Sequence, residues 1–200
     1  MRISSKAFVT MLALLFATSA WGADFKKGHD AYSSGDYQTA LSEWQVLAEE
    51  GHADAQFGMG LLYANGFGVS LDDNLALKWY RLAADKGHGE AQCNLAVMYA
   101  NGWGVTQSDE EALKWYSLAA DGGITQAQVG LARMYLRGLG TGADKIEAHK
   151  WFAIAASLGD SSAAFKRDEL AAKLSAEEIS AATSRADAWM QTHQNLLANH

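Results

Sequence analysis

Histidine and cysteine are the residues best suited to metal or nucleophilic chemistry, and the six histidines and one cysteine of this sequence are poorly spaced for either. His52 and His88 each follow a glycine, 36 residues apart, which is typical of a loop position at a repeat junction. The sequence contains no His-x-x-x-His pair and no second cysteine, so it signals neither a zinc site nor an internal disulfide. Cys93 is interpreted as a small buried apolar residue, with a reactive or intermolecular thiol as the alternative.

Carboxylates and serines give no stronger catalytic signal. The carboxylates at 72–73 and 109–111 fall at expected helix starts, where they stabilise the helix dipole. No serine lies in a nucleophile-elbow or Ser-x-x-Lys context. The glycine pairs 66/68 and 102/104 are interpreted as turns, because no strand precedes them as a phosphate loop would require. We therefore expect no catalytic residue, no cofactor and no metal site.

Composition and the N-terminal residues point to an exported helical protein. The chain has no proline, 49% hydrophobic residues and a net charge of -7, which favours a helical globular fold and argues against nucleic acid as a partner. Arg2 and Lys6 precede a short apolar run, and Ala20-Trp21-Gly22 fits a cleavage site before Ala23. We expect residues 1–22 to be a bacterial signal peptide, and the mature chain to be periplasmic or secreted without stable membrane insertion.

A 36-residue repeat organises the region that follows. The same residue types return at the same step in successive units and include a lysine before each tryptophan and a pair of alanines after it. This periodicity predicts three full units at 51–86, 87–122 and 123–158. The recurring residues include Gly51, Gly87, Gly123 and Gly159; Gln56, Gln92 and Gln128; and Trp79, Trp115 and Trp151.

Each unit reads as two antiparallel helices. In the first unit, apolar residues at helical spacing predict one helix over 53–64 and a second over 73–85. Gly66 and Gly68 end the first helix, and Asp72 is the expected N-cap of the second. We expect the glutamine of each unit to form a hydrogen bond across to a neighbouring helix or loop.

The pattern Ala-Gln-x-x-Leu-Ala-x-Met-Tyr-x-Asn-Gly-x-Gly-Val, followed by Ala-x-Lys-Trp-Tyr, resembles the Sel1-like repeat, a relative of the tetratricopeptide repeat. The resemblance extends over 51–158 and implies an all-α, right-handed αα superhelix that acts as a protein-protein interaction adaptor or regulator, not an enzyme. Some members of that family are linked to β-lactams, so a cell-wall-related or β-lactam-binding hydrolase is the alternative. Those members are rich in cysteine, unlike this chain.

The flanking segments are expected to cap the array. Residues 23–50 match a capping helix pair, and residues 159–200 match C-terminal capping helices. Ser175-Ala176-Glu177-Glu178 is a capping box that opens the last helix, through about residue 191. A terminal helix with one polar face keeps a repeat array soluble.

By analogy with tetratricopeptide arrays, the first helix of each unit is expected to line a surface that binds a protein or peptide. The surface changes from acidic and apolar to basic along the array. Phe57, Cys93 and Val129 have a second interpretation as core residues, and the loop aromatics Phe67 and Trp103 are further candidates. A purely structural, self-associating role is the third possibility. The predicted partner-binding residues are Asp54, Phe57, Leu61, Asn65, Glu90, Val97, Asn101, Gln126, Arg133 and Arg137.

Overall fold

A computed structural model describes residues 23–197, and within that range it contains eleven helices and no strand. The predicted signal peptide, residues 1–22, lies outside the described residues. No helix in the described range is long and apolar enough to cross a bilayer. The helices are α1 (Phe25–Ser34), α2 (Tyr37–Glu49), α3 (Ala53–Asn65), α4 (Asp73–Ala84), α5 (Gly89–Asn101), α6 (Asp109–Asp121), α7 (Thr125–Arg137), α8 (Lys145–Ser157), α9 (Ser161–Ala171), α10 (Ala176–Thr192) and α11 (Gln194–Leu197).

Helix boundaries follow the capping residues in the sequence. Helix α3 ends at Gly66, which has a φ of 67° and donates its backbone N–H to the Leu62 carbonyl. Asp72 caps α4 as predicted, because its Oδ1 accepts the backbone N–H groups of Asn74 and Leu75 at 2.9 and 3.0 Å. Both helices of the first repeat therefore end within one residue of the predicted bounds.

The chain divides into two compact units, one ending at Ala83 and the other starting at Ala84. In the first unit, Trp44 of α2 is almost fully buried against α1 and α3. Its indole Nε1 donates to the Phe25 carbonyl at 3.3 Å, and Phe25 stacks on the His52 ring. Helix α1 starts at Phe25, because Asp24 caps it by accepting from two backbone N–H groups.

In the second unit, the core is built from both helices of repeats 2 and 3 and from the C-terminal helices. Trp115 and Trp151, at equivalent repeat positions, are 7% and 6% exposed. The lysine before each of them lies over the indole, with Lys114 Nζ 5.1 Å and Lys150 Nζ 4.4 Å from the ring centroid. Both tryptophans are therefore packing residues of the second and third repeats.

Three buried glutamines attach the first helix of each repeat to the end of the preceding helix. In each case the side-chain amide donates to a backbone carbonyl that a helix C-terminus leaves without an intrahelical partner. The predicted hydrogen bond is confirmed, and its acceptor is the carbonyl of the second alanine of each alanine pair or its equivalent. The three pairs are Gln56 to Ala48 at 3.0 Å, Gln92 to Ala84 at 3.1 Å and Gln128 to Ala120 at 3.3 Å.

Aromatic rings of the second helices pack directly onto glycines of a first helix. A Cβ atom at Gly58 would lie 2.5 Å from Cε3 of Trp44, and one at Gly130 would lie 2.6 Å from Cε1 of Tyr116. The two contacts are equivalent, since both partners are displaced by two repeats of 36 residues. The missing side chains therefore make room for the rings.

The C-terminal helix α10 packs on α8 and reaches back to the turn before repeat 3. Ser175 and Glu178 form the predicted capping box at its start. Trp189 of α10 makes an edge contact with Trp151, and its Nε1 donates to Asp121 Oδ1 at 2.9 Å. Ala182, Ala186 and Trp189 are buried and form the apolar face of α10, with partly buried Ile179 on the same side.

We expect Gln92→Met to lower the free energy of unfolding by about 1 kcal/mol, because it removes the buried hydrogen bond to the Ala84 carbonyl, which then accepts only from the Gly87 N–H. Urea denaturation followed by far-UV circular dichroism measures the effect. Gln126→Met is the matched control, because Gln126 carries the same amide on an exposed position of α7. Equal stability of the two variants would contradict the proposed role of the glutamine.

Candidate protein-binding surface

The residues most suited to chemistry are used in packing. Cys93 is 1% exposed and forms no disulfide. Burial, with a smaller contribution from Glu90, raises the pKa of the Cys93 thiol to about 11. A thiol held in its protonated form is a poor nucleophile, which agrees with the interpretation of Cys93 as a buried apolar residue.

His52 and His88 are helix N-caps, a role that the sequence interpretation missed. Their Nδ1 atoms accept the backbone N–H groups of Ala55 and Ala91 at 3.4 and 3.3 Å. The equivalent position of repeat 3 is Ile124, which provides no side-chain cap. The sequence did indicate this role, because each histidine stands directly before a predicted helix. It was overlooked because histidine is not a common N-cap residue.

His149 is buried between α8 and the charged side chains of α9. It is 4% exposed, and its Nδ1 has no hydrogen-bond partner among the described residues. Burial is the main cause that lowers its pKa; Arg167 lowers it further, and Asp168 opposes the shift. His149 is therefore a packed helix residue.

An open cleft of about 560 Å³ lies between α6, α7 and α8. Leu131, Tyr135 and Trp151 contribute to its lining, together with Leu118, which is 48% exposed. The pKa of Tyr135 is raised, chiefly by burial and also by the nearby Glu147. The cleft therefore has an apolar surface with one phenol facing two carboxylates.

The charged groups around this cleft are engaged in ion pairs. Glu147 accepts from Lys150 at 3.1 Å and from Arg185 of α10 at 2.7 Å. Asp121 accepts from the indole of Trp189 and lies 3.3 Å from His193 Nε2. Throughout residues 23–197, no group of three or more histidine, cysteine or acidic side chains could hold a metal ion.

In the first unit, the predicted residues Asp54, Phe57, Leu61 and Asn65 share one face of α3. Asp54 and Asn65 are exposed, whereas Phe57 and Leu61 are half-buried. The ring of Phe57 lies 5.9 Å from that of Tyr80, so it also packs against α4. Asn65 Nδ2 donates to the Leu61 carbonyl at 2.8 Å, which closes the last turn of α3.

In the second unit, α5 and α7 lie side by side. A Cβ at Gly89, the first residue of α5, would lie 2.7 Å from the Ile124 side chain, which precedes α7. Tyr116 of α6 lies between them, close to both Cys93 and Arg133. Burial raises the pKa of Tyr116 to about 12, and Cys93 adds to the shift while Arg133 opposes it. Cys93 therefore belongs to the core below this surface.

The remaining predicted residues occupy the solvent side of these two helices. We call them the α5/α7 face. All of its members are exposed except Val97, which is half-buried. On each helix the spacing of seven and four residues keeps the three side chains on one face. The face consists of Glu90, Val97 and Asn101 on α5 and Gln126, Arg133 and Arg137 on α7.

The two loop aromatics differ. Trp103 is 51% exposed, as expected of a binding candidate. Phe67 is half-buried and stacks on Tyr37 with ring centroids 4.5 Å apart, so it is a packing residue, the other interpretation that its loop position allowed. The sequence interpretation missed this contact because it depends on Gly68 lying directly against the backbone of Tyr37.

Successive antiparallel helix pairs with a 36-residue period define an αα-repeat protein. The Sel1 repeat profile matches residues 53–88, 89–124 and 125–160, which is more than half of the chain. The chain therefore belongs to the Sel1 repeat family, and the predicted all-α repeat fold is confirmed. Repeats of this family generally bind other proteins and are typically not catalytic.

Solved structures of repeat proteins support this assignment. A Sel1 repeat protein from Oxalobacter formigenes is 30% identical, with a TM-score of 0.69, over 72% of this chain and 59% of that chain. The c5321 protein, a protective antigen of uropathogenic Escherichia coli with an SLR fold, is 24% identical, with a TM-score of 0.62, over 93% of this chain and 50% of that chain. The present chain thus spans only about half to three fifths of these relatives. No curated protein matches the sequence.

We expect His149→Leu to stabilise the protein by about 1 kcal/mol near pH 7.5, because it removes an unpaired buried nitrogen and restores the leucine of the other two repeats. The lowered pKa of His149 means that the unfolded chain binds a proton more readily than the folded chain does. The stability of the parent protein should therefore fall as the pH drops below about 6.5.

Urea denaturation at pH 7.5 and pH 5.5 checks this expectation. The stability difference between His149→Leu and the parent should be larger at pH 5.5, since only the parent must protonate this ring on unfolding. A difference that is equal at the two pH values would show that His149 does not titrate differently in the two states.

Proposed function

We propose that this chain is an exported adaptor or regulator of the bacterial envelope that binds a protein partner through the exposed sides of its first helices. Membership of the Sel1 repeat family supports the binding of a protein. The α5/α7 face and the exposed residues of α3 are the surfaces assigned to the partner.

The observation that carries this proposal is the different behaviour of two sets of residues within the repeat. Buried positions repeat one residue type, as with the glutamines 56, 92 and 128. The solvent-side positions of the first helix change instead: half-buried Leu61 and Val97 are equivalent to exposed Arg133. Exposed Asp54, Glu90 and Gln126 are likewise equivalent to one another. Packing does not require these exposed side chains, so they are free to determine which partner binds.

The export part of the proposal rests on residues 1–22. A positive start, a short apolar run and small residues before Ala23 are typical of a cleaved signal peptide. Loss of Arg2 and Lys6 would take the net charge from -7 to -9. Whether the mature chain stays in the periplasm or is secreted is open.

We expect the tagged full-length chain, produced in a bacterial host, to appear in the periplasmic fraction or the medium with Ala23 as its first residue. N-terminal sequencing of the purified protein checks this. Recovery of a chain that keeps Met1 in the cytoplasm would remove the envelope from the proposal and leave the adaptor role intact.

No observation favours the alternative of a cell-wall or β-lactam hydrolase. The cleft between α6 and α8 is the natural place for a ligand in the second unit, but its carboxylates are engaged by Lys150, Arg185 and Trp189. A hydrolase needs a free nucleophile or base directed at its substrate. The adaptor is therefore the better supported function.

We expect the tagged chain to capture a specific protein from an envelope extract after chemical crosslinking. The double variant Val97→Asp/Arg133→Glu should lose that protein, because it places acidic charge on the α5/α7 face. Mass spectrometry of the crosslinked product gives the partner and the crosslinked positions.

Leu118→Asp/Lys114→Glu is the matched control, since it changes the net charge equally on the exposed side of α6. It should capture the partner as the parent does, and thermal melting establishes that both variants are folded. If both double variants capture the same protein equally, the surface assignment is wrong. If the parent captures no specific protein, the adaptor proposal itself fails.

A further inference from the structure

We propose that Arg133 and Arg137 of α7 form the recognition site for an acidic, extended segment of the partner, with carboxylates at alternate residues. This inference rests on the proposed binding function and adds the chemistry of the partner. It is carried by the placement of two arginines that the repeat itself does not require.

The third repeat departs from the other two at both positions. The residues equivalent to Arg133 are Leu61 and Val97, and those equivalent to Arg137 are Asn65 and Asn101. Each asparagine donates its Nδ2 to the carbonyl four residues earlier, which is a local task at the helix end. In the third repeat, Arg137 stands in place of this asparagine, and Arg133 stands in place of the apolar residue.

Both arginines are available to a ligand. They are exposed, and within residues 23–197 neither guanidinium has a carboxylate within ion-pair distance. By contrast, Arg167 pairs with Asp168 and Arg185 pairs with Glu147. A cation in the last turn favours the helix dipole, which explains part of the presence of Arg137. Arg133 lies one turn earlier, so the dipole does not account for it.

The surroundings of the pair favour a chain that combines acidic and apolar contacts. Leu136, between the two arginines in sequence, is 37% exposed. Tyr116 lies beneath Arg133, close enough for the guanidinium to counteract part of the rise in its pKa. Half-buried Val97 lies at the position of α5 equivalent to Arg133. The site therefore offers two forked cations on a partly apolar base.

The spacing of the arginines matches an extended peptide. Four helical residues advance about 6 Å along the axis. Alternate residues of an extended chain are about 6.6 Å apart and point to the same side. Two carboxylates in a Glu-x-Glu arrangement can therefore each meet one guanidinium, which binds carboxylates through two parallel N–H groups. The net charge of the whole chain is -7, so a longer acidic segment would be repelled and the site suits only a short one.

Fluorescence polarisation with the full chain and three labelled peptides tests this inference. The first is Gly-Glu-Ser-Glu-Gly-Glu-Ser, and in the second glutamine replaces each glutamate. The third, Gly-Glu-Glu-Ser-Gly-Glu-Ser, has the same composition and charge as the first but no two glutamates at alternate residues. We expect the first peptide to bind at least fivefold more tightly than the other two, and the preference to weaken as NaCl is raised.

Arg133→Gln and Arg137→Gln should each weaken binding of the first peptide by about fivefold, as expected for the loss of one exposed ion pair. Lys26→Gln is the control, because it removes one positive charge from α1, where Lys26 forms an exposed pair with Asp30. This variant should bind as the parent does. Thermal melting of each variant separates loss of binding from loss of folding.

Equal binding of the glutamate and glutamine peptides, no binding at millimolar concentrations, or full binding by Arg133→Gln/Arg137→Gln would overturn the inference. Tighter, arginine-dependent binding of an oligothymidylate of equal charge would also overturn it, in favour of a nucleic-acid site. If crosslinking still captures a partner that Val97→Asp/Arg133→Glu loses, the adaptor function stands although the acidic segment is wrong.

Discussion

A pair of three-turn helices leaves one apolar side of each helix uncovered, and the next pair must supply the missing surface. In this chain, that constraint is met by the same contacts in successive repeats. A buried glutamine donates to a carbonyl at the end of the preceding helix, and a ring from a second helix occupies the space of a missing side chain at Gly58 and Gly130. The hydrogen bond pairs the buried glutamine amide with a backbone carbonyl, whereas the ring contact excludes water from the space between the helices.

These packing contacts separate structural from functional residues within each repeat. Cys93 and Phe57 stand at equivalent positions and face the second helix, where they lie beside Tyr116 and Tyr80. The side chains one turn further along the helix, such as Val97 and Arg133, reach the surface. The fold therefore fixes the positions of the residues on the binding face but not their types. Substitution of these surface residues can adapt the face to partners of different chemistry.

Much of the fold could be predicted from the sequence, because periodic spacing directly reports the interval at which packing contacts return. Helix α3, the Asp72 cap and the capping box at Ser175 were predicted within one residue. Contacts that depend on three-dimensional approach were not. The stack of Phe67 on Tyr37 could not be distinguished from an exposed contact position, and the N-cap roles of His52 and His88 were missed. The binding face remains a prediction, since exposure alone does not identify a partner.

The bond between Trp189 and Asp121 has a consequence for the order of folding. Contacts between neighbouring helices join residues close in sequence, so helix pairs can form and add to one another rapidly. The indole-carboxylate bond instead spans 68 residues, and it closes a loop that contains the whole third repeat. Helix α10 should therefore dock only after that repeat has formed. Once docked, it makes the C-terminal half unfold as one cooperative block, instead of fraying helix by helix from its end.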